Sequence, residues 1–200
     1  MPHRFNPAER RHLLAPERRK RLPATRIVRE LDIAPGNTVL DIGAGVGYFA
    51  RALLRQLGPH GRLIAIDIAP VMLEELRKTL GSTRAEVQTL IADAVGIPLP
   101  DRCADRILMA LVLHEIAEPT AALREARRLL KPDGRLLIVE WHKIKPPPGP
   151  PEKERLDPGT IFQLARQTGF EIADHDDINR FHYLTHLQPV ARKRRHDIIG

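Results

Sequence analysis

One cysteine in 200 residues, Cys103, removes several classes of protein at once. A disulfide framework and a thiolate-rich metal site both need more than one. Aromatic residues make up 4% of the chain, so its core has to come from Leu, Ile, Val and Ala. No apolar run approaches the roughly 18–20 residues that span a bilayer. The N-terminus has no long apolar run either, so no secretory leader is expected. Internal repeats are missing, and the one low-complexity tract is Pro146-Pro147-Pro148-Gly149-Pro150-Pro151. That tract reads as a stiff, extended loop, because proline fixes φ and donates no backbone hydrogen bond. A soluble, cytoplasmic protein is the expectation.

Charge is plentiful but unevenly placed. Residues 1–29 carry nine Arg or Lys against Glu9 and Glu17, which accounts for the whole net charge of +7. A second basic block, Arg192-Lys193-Arg194-Arg195, leaves the central body slightly acidic. Basic ends attract nucleic acid, anionic lipid or acidic substrates; a solvated surface is the plainer reading.

Short apolar runs alternate with helical periodicity. TVLDI (38–42), RLIAIDI (62–68), EVQTLIAD (86–93), DRILMALVLH (105–114) and RLLIVEW (135–141) read as five strands. Helices are expected over 46–57, 70–80 and 119–130, with Lys131-Pro132-Asp133-Gly134 as a turn. Asp157 followed by Pro158 reads as an N-cap with proline at the first helical position. FEIADHDD and RFHYLTHLQ, with no helix between them, read as an antiparallel hairpin. The fold class is therefore α/β: a Rossmann-like, doubly wound, seven-stranded sheet, mostly parallel with a C-terminal antiparallel hairpin. One domain over 1–200 is expected: a basic helical segment (1–33), a cofactor-binding core (34–142), a Pro-rich loop (143–157), then a helix and hairpin (158–200). In such sheets ligands bind beyond the carboxyl ends of the strands, at the switch point.

VLDIGAGVGYFA (39–50) is the most informative run. Its glycines follow G-x-G-x-G rather than the dinucleotide spacing G-x-G-x-x-G, whose third glycine would fall at Tyr48. No Lys-Ser or Lys-Thr follows Gly47, so a Walker-type phosphate cradle is excluded. The loop carries no cation, and Asp41 stands just before it. Asp67 closes the second strand, where an acid accepts ribose hydroxyls. Asp93 closes the third, where an acid accepts the exocyclic amine of adenine. Three carboxylates at three strand ends, with a glycine loop between, describe a site for S-adenosylmethionine. Singly, each feature also serves structure: glycine for a tight turn, Asp as an N-cap.

From about Thr38 to His142 the chain resembles the class I S-adenosylmethionine-dependent methyltransferases, and within them the small enzymes related to quinone biosynthesis. VLDIGAGVGYFA, LIAIDIAPVMLEEL, LIADAVGIPLPDRCAD, ILMALVLHEI and LKPDGRLLIVEW carry the resemblance. It implies that Asp41, Gly43 and Gly45 contact the methionine part, with Gly47 allowing close packing, and that Ala44 and Tyr48 also bind the cofactor. It places Asp67 on the ribose, Ile68 and Met72 on the adenine face, and Asp93 and Ala94 at the adenine edge. Ala110 and Leu111 then lie below the methyl group. The acceptor pocket is expected from the N-terminal segment, the end of strand four and the region after strand five. S-adenosylhomocysteine is the implied product.

Methyl transfer from a sulfonium is an in-line displacement, in which positioning alone can supply roughly 7–11 kcal/mol. A base is needed only where the acceptor must lose a proton. His114 is the candidate base, or a pocket-lining residue; Glu115 is the runner-up and a candidate to orient it. Trp141 either stacks on an acceptor or fills core, and His142, Tyr183, His3 and Phe5 are further pocket candidates. HEIAE (114–118) falls short of a zinc motif because Glu118 stands where the second histidine belongs. No metal is expected, and a lone cysteine argues against arsenite as acceptor.

The expected partner is thus a small-molecule acceptor. Three other readings stay open. Basic ends suit an RNA methyltransferase, but ALVLHEI stands where adenine-N6 enzymes carry Asn/Asp-Pro-Pro-aromatic. AERRHLLAPERRKRL suits peripheral contact with a membrane carrying a lipid or quinone acceptor, although Pro16 interrupts it. A non-catalytic cofactor-binding protein would keep the same cofactor positions.

Overall fold

The computed structural model describes Leu13, residues 16–145 and residues 149–191. His3, Phe5, most of AERRHLL, Pro146 to Pro148 and the basic block at 192–195 lie outside the described residues, and the expectations placed on them with them.

Seven strands form one sheet in the order β3-β2-β1-β4-β5-β7-β6. The strands are β1 (Thr38–Ile42), β2 (Arg62–Asp67), β3 (Glu86–Ile91), β4 (Ala104–Ala110), β5 (Leu130–Trp141), β6 (Phe170–Asn179) and β7 (His182–Pro189). The first five are parallel; β7 runs antiparallel to β5 and pairs with β6 as a hairpin, as the sequence predicts. Strand order reverses between β1 and β4, which sets the switch point there.

Alternation of side chains along the central strands feeds two cores. Leu40, Ile42, Ile107, Met109, Leu136 and Ile138 face one core. Val39, Leu108, Leu137 and Val139 face the other. Helix α5 (Pro119–Leu129) buries Ala122, Leu123, Ala126 and Leu129 against the first. Helix α6 (Pro158–Gln167) adds Ile161 and Ala165 to it, started by Asp157, whose carboxylate accepts the Thr160 N–H at 3.0 Å. Helices α2 (Ala24–Arg29) and α3 (Ala50–Leu57) cover the second core, while α4 (Pro70–Leu80) packs on β2 and β3. Helix α1 (Pro16–Arg21) has no fully buried residue, and Arg18 is its one partly buried position.

Three boundaries differ by more than two residues from those read in the sequence. The helix after the glycine loop starts at Ala50 rather than Val46, because positive φ at Gly45 and Gly47 keeps that stretch non-helical. β4 stops at Ala110 rather than His114, because Leu111 turns to φ +57° and Leu113–Glu115 forms one turn of 3₁₀ helix. β5 starts at Leu130, so Lys131 to Gly134 is not a separate turn but a bulge in the strand. Ala104 pairs with Leu130 and Arg106 with Arg135, and Lys131 Nζ holds Asp105 at 2.6 Å beside the bulge.

Candidate active site

The carboxyl ends of β1, β2, β3 and β4 open into a cavity of about 1050 Å³. That is at the upper end of the roughly 300–1,000 Å³ of small-molecule pockets.

Its floor is the loop after β1. Gly43 and Ala44 both donate their N–H groups to the Ile66 carbonyl, at 2.8 and 3.0 Å, which ties the loop to β2. Gly43 has φ +76°, and a Cβ there would stand 2.4 Å from Val112 Cγ2. Gly47 has φ +81°, and a Cβ there would stand 2.8 Å from Leu76 Cγ on α4. The pattern G-x-G-x-G is thus a packing requirement as well as a ligand cradle: one glycine admits Val112, the other Leu76. Gly43→Ala is expected to combine that clash with a strained φ. A loss of about 1–3 kcal/mol of stability, read by denaturant unfolding, checks this.

Of the three acids at the strand ends, Asp67 and Asp93 line the cavity and Asp41 does not. Asp67 ends β2 and accepts Gly45 N–H on Oδ2 at 2.8 Å and Ala69 N–H on Oδ1 at 2.9 Å. Both oxygens are thereby aimed, and each keeps acceptor capacity for a ligand. Burial raises its pKa against these backbone bonds. Ile68, 44% exposed, and Met72 flank it on the cavity wall, followed by Asp93, Ala94 and Val95 from the end of β3. Asp41 is buried beneath the loop, and its Oδ2 has no hydrogen-bond partner. Burial, then the nearby Asp67 charge, pushes its pKa up to about 7. A buried carboxylate with an orphaned oxygen and a loop of glycines fits a ligand with a cationic end, as S-adenosylmethionine has.

A cation near Asp41 favours its ionised form, so binding below its pKa expels a proton. Affinity for S-adenosylhomocysteine is expected to rise as pH increases toward about 7 and then level off. Calorimetry in buffers of different ionisation enthalpy reads the proton release directly. Uptake of protons at pH about 6 would contradict it.

At the far end of the cavity lie Ala110 at the end of β4, Leu111 and Val112 just after it, then His114 to Glu118. His114 is the polar centre here. Its Nδ1 is 2.8 Å from Glu140 Oε2 and 3.0 Å from Oε1, and its backbone N–H donates to Oε1 at 3.2 Å. Glu140 is fully buried at the end of β5. With Nδ1–H donated to that carboxylate, Nε2 carries the lone pair; it stands 3.8 Å from Glu115 Oε1. Burial alone would lower the His114 pKa, but the charge and hydrogen bond of Glu140, then Glu115 and Glu154, raise it above the ordinary value. The orienting acid is therefore Glu140, not Glu115. Glu140 is not among the pocket candidates that the sequence offers. The signal for it was an acid inside an apolar strand, which burial obliges to find a partner.

The third wall comes from the N-terminal helix and the chain after β5. Trp141 lines the cavity and packs on His182, with ring centroids 4.2 Å apart. His182 is held neutral, its pKa lowered to about 3 by burial and by Arg18, His142, Arg155 and Arg21. Gly149, Pro150 and Pro151 form the expected wall from the proline-rich tract. Arg155 secures them, donating to the Pro150 carbonyl at 2.9–3.0 Å and the His142 carbonyl at 2.7 Å while lying over Trp141. Two pocket candidates are elsewhere. Tyr183 is fully buried in β7 and donates its hydroxyl to the Leu156 carbonyl at 2.5 Å. His142 turns away to Asp177 Oδ1 at 2.9 Å. Alternation along β5 and β7 sends both to the side opposite the residues that do line the cavity, Trp141 and His182. Arg18, Arg21 and Leu22 also line the cavity. No group of three metal-ligating side chains occurs among the described residues.

A doubly wound sheet with acids at the ends of β1, β2 and β3 around a glycine loop defines the class of proteins that bind S-adenosylmethionine in this fold. The family described as "Methyltransferase domain" matches residues 40–138. A SAM-dependent methyltransferase from Aquifex aeolicus superposes with a TM-score of 0.87 at 28% identity, covering 94% of this chain and 100% of that one. The "Ubiquinone/menaquinone biosynthesis C-methyltransferase UbiE" of Bordetella avium is 36% identical over 119 residues, 60% of this chain and 46% of that protein. Its namesake in Paraburkholderia phymatum is 37% identical over 120 residues, 60% of this chain and 49% of that protein. The chain spans about half the length of these curated relatives. It belongs to the class I S-adenosylmethionine-dependent methyltransferases. No helix among the described residues is long and apolar enough to cross a membrane.

Proposed function

We propose that this chain transfers a methyl group from S-adenosylmethionine to a small-molecule acceptor bearing an ionisable hydroxyl. The buried Glu140–His114 pair, beside the end of β4, carries this reading. The cofactor supplies a methyl group on a sulfonium, whose C–S bonding pair leaves with sulfur. Asp67 holds the ribose hydroxyls, Ile68 and Met72 flank the adenine, and Asp93 and Ala94 meet its edge. Asp41 answers the ammonium charge across the Gly43–Ala44–Gly45 turn, with Tyr48 on the wall beside it. Ala110 and Leu111 set the floor beneath the methyl carbon.

His114 Nε2 takes the acceptor's hydroxyl proton as the new bond to oxygen or to a ring carbon forms, and Glu140 stabilises the resulting imidazolium; where carbon is methylated, its C–H proton then leaves to solvent and the imidazolium returns a proton to the ring oxygen. Glu115 sits within reach of the same nitrogen and steers the proton. Trp141 and the neutral His182 give the acceptor an uncharged aromatic wall. The quinone-pathway relatives favour a phenol or quinol of this kind, since deprotonating such a hydroxyl raises the nucleophilicity of its ring carbon. Purified protein should release S-adenosylhomocysteine on addition of one member of a phenol and quinol panel. Cofactor binding without turnover across that panel would favour a non-catalytic binding protein.

A further inference from the structure

The amino-acid end of the cofactor brings a carboxylate as well as an ammonium, and GAGVG offers it no cation. Among the described residues, two arginines line the cavity, Arg18 and Arg21. Arg21 is turned to Phe181, with its guanidinium 5.2 Å from that ring. Arg18 is turned to the glycine loop instead, its guanidinium 4.8 Å above the Tyr48 ring. The Tyr48 hydroxyl donates to the Leu22 carbonyl at 2.5 Å, and Leu22 N–H donates to the Arg18 carbonyl at 2.7 Å. The helical turn that carries Arg18 is therefore anchored to the cofactor loop by the same side chain on which its guanidinium rests. Arg18 Nε is buried without a hydrogen-bond partner.

We propose that Arg18 binds the carboxylate of the cofactor's amino-acid end, completing from the N-terminal helix the cation that the glycine loop lacks. This rests on the S-adenosylmethionine reading of the cavity. A guanidinium stays charged even where burial lowers its pKa, as burial does here against the nearby Tyr48 and Glu115. A buried N–H without an acceptor is costly, and a carboxylate accepting from Arg18 Nε offsets that cost. Arg18 and Asp41 then read the two opposite charges of one amino acid. A ligand lacking the carboxylate loses the contact with Arg18 while keeping the one with Asp41.

Calorimetry on the full chain tests this with two ligands, S-adenosylhomocysteine and its decarboxylated analogue, which keeps the amine. Wild type should prefer the former. Arg18→Gln should weaken S-adenosylhomocysteine by about 10- to 100-fold and shift the analogue by less than about threefold, erasing the preference. Arg18→Lys should keep part of it. Equal weakening of both ligands would mean a structural role and overturn the proposal, as would unchanged binding of both. A raised acceptor KM with unchanged S-adenosylhomocysteine affinity would assign Arg18 to the acceptor and overturn it too. Failure of wild type to bind S-adenosylhomocysteine at all would instead sink the cofactor reading itself.

Discussion

Turnover of His114→Gln is expected to fall by roughly 10²- to 10⁴-fold, the range that a positioned general base supplies. Glutamine is the better test than alanine, because its amide can still donate to Glu140. Removing the donor outright would strand a fully buried carboxylate and confuse catalysis with unfolding. Affinity for S-adenosylhomocysteine should stay within about threefold, since His114 lies at the acceptor end.

The pH profile sharpens the test. His114 titrates above its ordinary value, so the free base, and with it the rate, increases as pH rises through that raised pKa. Glu140→Gln removes the main raising influence; the acidic limb should move to lower pH while the plateau rate falls, because a weaker base accepts the proton. The double variant should cost little more than the worse single one, as expected for residues acting as a unit. In stability the same pair has the opposite pH sense. A histidine raised by folding stabilises fully below its unfolded pKa and loses that contribution as pH rises through the folded value. Unchanged turnover in His114→Gln would remove the base from the mechanism and leave positioning alone.

Most of the cofactor half of the cavity was legible because it is local in sequence. Asp67 ends β2, while Asp41 stands one residue before the end of β1 and Asp93 two residues beyond the end of β3, so strand assignment alone carries them to the switch point. The acceptor half was less legible because it is assembled across the sheet. Glu140 reaches His114 only because β4 and β5 are neighbours in register, Ala110 opposite Val139. Nothing in HEIAE or VEW announces that pairing. Tyr183 and His142 went astray for a related reason. A strand's alternation divides its residues between two sides, but which side holds the cavity depends on what else covers the sheet. The N-terminal contribution is anticipated as a basic helical segment bordering the acceptor pocket, without Arg18 as its point of contact. A cation above Tyr48 is a tertiary fact, set by the bond from Tyr48 to Leu22.

Asp67→Ala should lower affinity for S-adenosylhomocysteine by at least about 100-fold. Two hydrogen bonds from ribose hydroxyls to one carboxylate are lost, and bonds to charged groups contribute about 1.5–3 kcal/mol each. The variant also frees the Gly45 and Ala69 N–H groups that Asp67 now accepts, so the loop loses a tether as well as a ligand contact. Asp67→Asn separates the two effects. Its carbonyl oxygen keeps one backbone bond, its amide cannot accept the other, and its affinity should fall between those of wild type and alanine. Melting temperature read alongside shows whether the fold persists. A second consequence reaches Asp41. Part of what lifts Asp41 to about 7 is the charge on Asp67, so in either variant its pKa should drop toward the ordinary carboxylate range. Proton release on ligand binding would then shift to lower pH. Full affinity in Asp67→Ala would move the ribose elsewhere in the cavity. Weak binding with unaltered proton release would mean that the two acids act independently.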